Sequence, residues 1–148
     1  MLSQDFKEFI ASLNKHAVEY MVIGGYAVAL HGHPRYTKDI DIWVGQTPDN
    51  AARLIRALDE FGMGSLGLNA SDFRDESSVV QLGFPPNRID LITGIAGLSF
   101  PDAYARRECV EIDGVTVCYT AKGDLVATKK AAGRLQDLAD IERLDERA

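Results

Sequence analysis

Residues 39–44 read Asp-Ile-Asp-Ile-Trp-Val, with polar and apolar residues alternating over the first four positions. Successive side chains of a strand point to opposite faces. A strand here turns Ile40 and Ile42 toward a core and sets Asp39 and Asp41 on the other face, about 7 Å apart along the chain. Two carboxylates side by side repel each other and resist burial unless a cation sits between them. Magnesium prefers oxygen ligands and commonly takes one or two carboxylates together with substrate phosphates. The alternation therefore asks for a sheet with one face given to a core and the other to a metal and a phosphate.

The segment before it supports the same reading. EYMVIGG predicts a short buried strand over 20–23, broken at Gly24-Gly25, and YAVALHG a short helix that stops at Gly32 and Pro34. Glycines at a strand-to-helix turn let a phosphate approach the backbone, where a helix start offers free N–H groups. Taken singly, Gly-Gly is an ordinary tight turn and Asp-x-Asp an ordinary solvated strand face. Their combination within residues 24–44 is what marks the stretch.

Further along, Phe6, Ile10 and Leu13 predict an amphipathic helix over 4–15. Residues 49–61 predict a second, opened by Pro48 and closed by Gly62. The Gly-, Ser- and Asp-rich stretch 62–76 reads as a mobile loop. SSVVQLGF and NRIDLITGI predict two strands joined by a Pro85-Pro86-Asn87 turn. One or two helical turns are expected over 100–106, then a hairpin, then helices over 121–132 and 136–146 separated at Gly133. In that hairpin an Asp113-Gly114 turn pairs Ile112 with Val115 and Cys109 with Cys118. Helices interleaved with hairpin-linked strands imply an α+β fold with a mixed sheet, helices packed on it and two C-terminal helices.

At 148 residues the chain is expected to be one domain, 1–148. It is 46% apolar and 26% charged, an ordinary globular balance, with no run long enough for a membrane span. The start of the chain lacks the basic and apolar regions of a signal peptide, so a soluble, cytoplasmic protein is expected. A net charge of −6 argues against stable duplex DNA binding, which rests on Lys and Arg neutralising phosphates. In a reducing cytosol the two cysteines are expected as free thiols packed like small apolar residues.

Gly24-Gly25, a short helix, then Arg35-x-Thr37-x-Asp39-Ile40-Asp41 resembles the signature of the DNA polymerase β-type nucleotidyltransferase superfamily. It resembles more closely its minimal bacterial members, related to AbiEii-type toxins and small antitoxin nucleotidyltransferases. Arg88-Ile89-Asp90-Leu91-Ile92 matches the later strand that carries that family's third carboxylate. The tail, a Lys-rich helix followed by Arg134-x-x-Asp137-x-x-Asp140, is also similar, so the resemblance spans about residues 20–144. It implies a nucleotidyltransferase fold and transfer of an NMP group from an NTP to a hydroxyl acceptor. Asp39, Asp41 and Asp90 would be the catalytic acids and would hold two Mg2+ or Mn2+ ions. Gly24 and Gly25 would contact the triphosphate. Arg35, Thr37 and Lys38 lie in the nucleotide-binding motif, and Lys129 or Lys130 would reach the phosphates from the first C-terminal helix, adjacent residues of which only one can face the site. The acceptor would be a small molecule, an RNA end or a protein, with a toxin or antitoxin as a candidate partner and no membrane.

Each role has a plainer rival. Asp90 could be a surface carboxylate, with Asp72, Asp75 or Glu76 serving from the loop. Arg35 and Lys38 could simply pair with the aspartates. Asp137 and Asp140 are expected to pair with Arg134 or Arg143, and His31 and His33 to cap carbonyls rather than bind metal. Many family members carry Ser where Gly25 stands, and larger relatives carry a helical acceptor-binding domain. The competing function is therefore a catalytically silent, antitoxin-like or regulatory binding module of the same fold. A metal-dependent phosphohydrolase is the third reading, weakened by the lack of suitably placed histidines.

Overall fold

The computed structural model describes residues 3–32, 39–62, 73, 79–83, 88–95 and 97–132. Its first helix, α1 (Gln4–Lys15), starts where Ser3 caps it, the Ser3 hydroxyl accepting the Phe6 N–H at 3.2 Å. Strand β1 (Tyr20–Ile23) is wholly buried and runs into α2 (Gly24–Leu30), which begins at Gly24 itself, two residues before the expected start. Strand β2 (Ile40–Val44) follows, then α3 (Pro48–Phe61), opened by Thr47 and Pro48 and closed at Gly62. The remaining elements are β3 (Val79–Leu82), β4 (Ile89–Ile92), α4 (Phe100–Ala105), β5 (Glu108–Ile112), β6 (Val115–Tyr119) and α5 (Lys122–Ala132).

The six strands form one mixed sheet in the order β3-β4-β2-β1-β6-β5. β1 and β2 are antiparallel, whereas β2 with β4 and β1 with β6 are parallel. The expected α+β architecture is thus present, although β3 and β4 are shorter than the sequence suggested. The expected 136–146 helix, the Pro85-Pro86-Asn87 turn, His33 and the 134–143 ion pairs lie outside the described residues.

Alternation along the strands divides the sheet into two faces. Tyr20, Val22, Ile40, Ile42, Val44, Ile89 and Leu91 bury against Phe6, Phe9, Ile10 and Leu13 of α1 and Leu54 and Leu58 of α3. On the other face Met21, Ile23 and Trp43 pack with Ala103 of α4, and Phe100 meets the Trp43 ring edge to face. Phe73 is fully buried in the first of these cores, so the stretch read as a mobile loop has an anchored residue inside it. Most of that stretch lies outside the described residues.

The hairpin has the predicted register, Ile112 opposite Val115 and Cys109 opposite Cys118. Its turn uses left-handed backbone at Asp113 (φ 51°) and Gly114 (φ 82°), as a two-residue turn matching strand twist requires. The expectation of free thiols is corrected: Cys109 and Cys118 form a disulfide. Direct cross-strand opposition, with the two Cα atoms 4.1 Å apart, brings the sulfurs together on adjoining strands.

Candidate functional site

The parallel pairing of β2 with β4 sets the site. Asp41 lies opposite Asp90 in register, with Ile40 opposite Ile89 and Ile42 opposite Leu91. Since the isoleucines and Leu91 face the α1–α3 core, Asp41 and Asp90 share the other face, and Asp39 lies on it one pleat earlier. The structure thus puts Asp39, Asp41 and Asp90, the three acids singled out from the sequence, on one face of the sheet. Asp90 is buried to 8% exposure, while Asp39 and Asp41 are half-buried.

Gly24 stands directly over this cluster. A Cβ built there would lie 2.4 Å from Asp41 Oδ2, and the backbone is left-handed at φ 69°. The left-handed backbone favours glycine, and the missing Cβ lets the Asp41 carboxylate lie against the main chain. Gly25 follows in the first turn of α2, which has no side-chain cap.

Arg88 is the residue that the sequence reading quoted without giving it a part. Its Nε donates to Asp90 Oδ1 at 2.8 Å and its Nη2 to Asp90 Oδ2 at 3.1 Å. Nη2 also lies 3.5 Å from Asp39 Oδ2, and the Arg88 backbone N–H donates to Asp39 Oδ1 at 3.1 Å. Asp90's hydrogen bonds, reinforced by the charges of Asp90, Asp39 and Asp41, push the guanidinium above its usual range. A signal for this existed: Arg88 and Asp90 are two apart on one strand and must share a face.

Hard carboxylate oxygens are the ligands a divalent ion prefers. Among the described residues, however, no three His, Cys, Asp or Glu side chains are gathered closely enough to hold one. The acids of 39 and 90 converge on Arg88 instead. Arg35, Thr37 and Lys38 lie outside the described residues. Lys130 is exposed on α5, and of Lys129 only the backbone is described. His31 Nε2 lies 2.8 Å from the Thr120 carbonyl oxygen, in keeping with its expected carbonyl contact.

On the same sheet face, beyond Trp43, a cleft of about 810 Å3 opens between Gly45, Thr93, Ile95, Phe100 and Tyr104. Nothing local marks this cleft, because its walls come from three separate stretches of the chain, at Glu19, over 43–47 and over 93–104.

A six-stranded mixed sheet carrying three acids and a glycine turn on one face defines a nucleotidyltransferase-like fold. The solved structure of a protein from Thermotoga maritima, itself only provisionally assigned as a nucleotidyltransferase, is similar over 97% of this chain and 91% of that one. The two share 16% identity at a TM-score of 0.64. An antigenic nucleotidyltransferase-like protein from Paracoccidioides brasiliensis is similar over 99% of this chain and 78% of its own, with 22% identity and a TM-score of 0.55. Residues 1–145 match a family described as nucleotidyltransferase of unknown function, DUF6036, and the chain belongs to that family. No curated protein matches it. Among the described residues no helix is long and apolar enough to cross a membrane.

Proposed function

We propose that this chain is a metal-dependent nucleotidyltransferase that moves an NMP group from an NTP to a hydroxyl acceptor. The observation that carries the reading is the in-register pair Asp41–Asp90, with Asp39 on the same face and Gly24 held against the Asp41 carboxylate. Asp39, Asp41 and Asp90 are the proposed ligands of two Mg2+ or Mn2+ ions, which would supply charge neutralisation of the triphosphate and a more acidic acceptor hydroxyl. Gly24 and Gly25 present backbone without side chains, so the triphosphate can lie close to the first turn of α2. In this reading Asp90, beside Asp41, would help take the proton of the acceptor hydroxyl once its oxygens are released from Arg88. The acceptor oxygen forms its bond to the α-phosphorus as the bond to the bridging oxygen breaks, and pyrophosphate leaves. Arg35, Thr37, Lys38 and Lys130 remain proposed nucleotide contacts on the strength of the motif alone. Small acceptors are favoured, because the cleft beside Trp43 is on the acid-bearing face and of small-molecule size.

The second reading, a catalytically silent antitoxin-like or regulatory module, is favoured by one observation. Arg88 already pairs with two of the three acids, Asp39 and Asp90, so part of their charge is offset without a ligand. The AbiEii-like subtype, a toxin or antitoxin partner, the single-domain organisation over 1–148 and a cytoplasmic location belong to the proposal in the same way.

The decisive experiment offers the protein each of four α-labelled NTPs with Mg2+ or Mn2+ and a cell extract as acceptor source. An Asp39→Ala/Asp41→Ala variant serves as control. Label entering an RNA, protein or small-molecule fraction only with the intact acids establishes transfer. No transfer with any nucleotide, and no metal-dependent NTP binding by calorimetry, removes the enzyme reading and leaves the binding module.

A further inference from the structure

Four carboxylate oxygens belong to Asp39 and Asp90, and Arg88 is near or bonded to every one. Its Nε and Nη2 take both oxygens of Asp90, and Nη2 and the backbone N–H approach the two of Asp39. The forked pair with Asp90 is the strong, planar arrangement that guanidinium makes with carboxylate. The Asp90 side chain of this pair is 11% exposed and the Arg88 side chain 26%.

We propose that Arg88 is an internal cation that competes with divalent metal for Asp39 and Asp90, so that an ion binds well only when a nucleotide draws the guanidinium away. This rests on the reading of the three acids as metal ligands. The physical argument is one of shared oxygens. A divalent ion bound to the Asp90 carboxylate would sit within a few ångströms of the guanidinium, and two cations at that range in a partly buried site repel strongly. Arg88 must therefore leave, and leaving an arginine unpartnered beside a sheet is unfavourable. A triphosphate supplies oxygens of the same charge and geometry as those it gives up. Metal and nucleotide thereby bind with positive coupling, and in the apo protein Arg88 offsets part of the repulsion among the acids.

Other features carry less. The unpartnered Trp43 indole N–H beside the cleft does not by itself say which ligand accepts from it.

The test is titration of the full chain with Mn2+ by calorimetry, with and without α,β-methylene-ATP, in wild type and Arg88→Gln. Arg88→Gln removes the charge and keeps an amide. The backbone hydrogen bond to Asp39 persists. The variant is expected to bind Mn2+ alone at least about tenfold more tightly than wild type, the scale of a charge-assisted hydrogen-bonded pair. The gain in Mn2+ affinity that the nucleotide gives wild type should shrink by the same factor, as linkage requires. A merely structural arginine would not improve metal binding when removed. Equal or weaker Mn2+ binding by Arg88→Gln overturns the proposal.

Should Arg88→Gln be unfolded in chelator, millimolar Mn2+ is expected to restore its circular dichroism and cooperative melting by taking over the neutralisation. A variant that stays unfolded with Mn2+ makes Arg88 a structural residue and ends the idea. Asp39→Asn and Asp90→Asn separate the two levels of inference. Equal binding by wild type and Arg88→Gln that these variants abolish removes the competition and leaves the metal site. No Mn2+ binding by wild type or Arg88→Gln, with or without nucleotide, removes both.

Discussion

On one face of β2 and β4, Ile40, Ile42, Ile89 and Leu91 are buried against α1 and α3. On the other face, one residue along in each strand, Asp39, Asp41, Arg88 and Asp90 gather beside Trp43. The backbone and the register are the same for both sets. What differs is how each face is satisfied: the first by helices of the same chain, whose apolar burial stabilises the fold, the second by an ion pair that could equally be satisfied from outside. The comparison teaches that stability and function are placed on alternate residues of the same strands, and substitutions should separate them.

The largest effect is expected on the polar face. Asp41→Asn should lower nucleotidyl transfer by at least about a thousandfold, as removal of a group at a reacting centre does. Its urea midpoint should shift by less than the equivalent of about 1 kcal/mol, since the change lies outside the apolar core. A variant that loses both activity and stability would show that the two faces are not independent.

Next comes the apolar face. Leu54 of α3 is fully buried, and Leu54→Ala should cost about 3 kcal/mol by urea denaturation. The protein that remains folded should transfer label at close to the wild-type rate. A large loss of activity per folded molecule would break the comparison from the other side.

This division was readable in the sequence wherever it depended on local period. Asp39-Ile40-Asp41-Ile42 announced two faces, Pro48 and Gly62 mark the ends of α3, and Asp113-Gly114 set the Cys109–Cys118 register. What stayed hidden depends on contacts between distant segments. Arg88 acquires its meaning only when the parallel pairing of β2 and β4 brings Asp39 alongside. Phe73 reads as one apolar residue in a polar stretch yet is buried in the core. The Cys109–Cys118 register is local to the hairpin, whereas the oxidation state of two opposed thiols depends on their surroundings as well as on their proximity.

Asn50 was hidden for the same reason, and it sharpens the comparison because it is polar, fully buried and not part of the site. Its Oδ1 accepts the Glu19 N–H at 2.7 Å, and its Nδ2 donates to the carbonyls of Glu19 at 3.1 Å and Gly45 at 2.9 Å. It thereby joins the start of β1 and the end of β2 to α3. Asn50→Ala removes the side-chain partner of the Glu19 N–H and the Gly45 carbonyl, while the Glu19 carbonyl keeps the Gly45 N–H, and should cost about 2 kcal/mol in a chemical melt without altering metal or nucleotide affinity. Altered affinity would mean that buried polarity on this molecule is functional wherever it occurs.

The smallest effect expected concerns Tyr20, a polar tip within the apolar face. Its hydroxyl donates to Asn14 Oδ1 at 3.0 Å, and burial pushes the phenol up to about 12 against the hydrogen bonds that lower it. The unfolded chain ionises nearer 10, so it loses the proton first as pH rises. Tyr20 thus contributes stability that is whole below pH 10 and is lost through pH 12, at up to about 1.4 kcal/mol per pH unit. Tyr20→Phe removes the hydroxyl and its hydrogen bonds, which should cost about 1 kcal/mol at neutral pH. It should also flatten the alkaline limb of stability measured by urea melts between pH 9 and pH 12. Burial also raises the Tyr119 phenol, so the slope of the variant, not that of wild type alone, isolates Tyr20. An unchanged slope would place the alkaline loss on Tyr119 and the hairpin edge. A flattened one would show that even the polar atoms of this face work for stability, which is the property the acid-bearing face lacks.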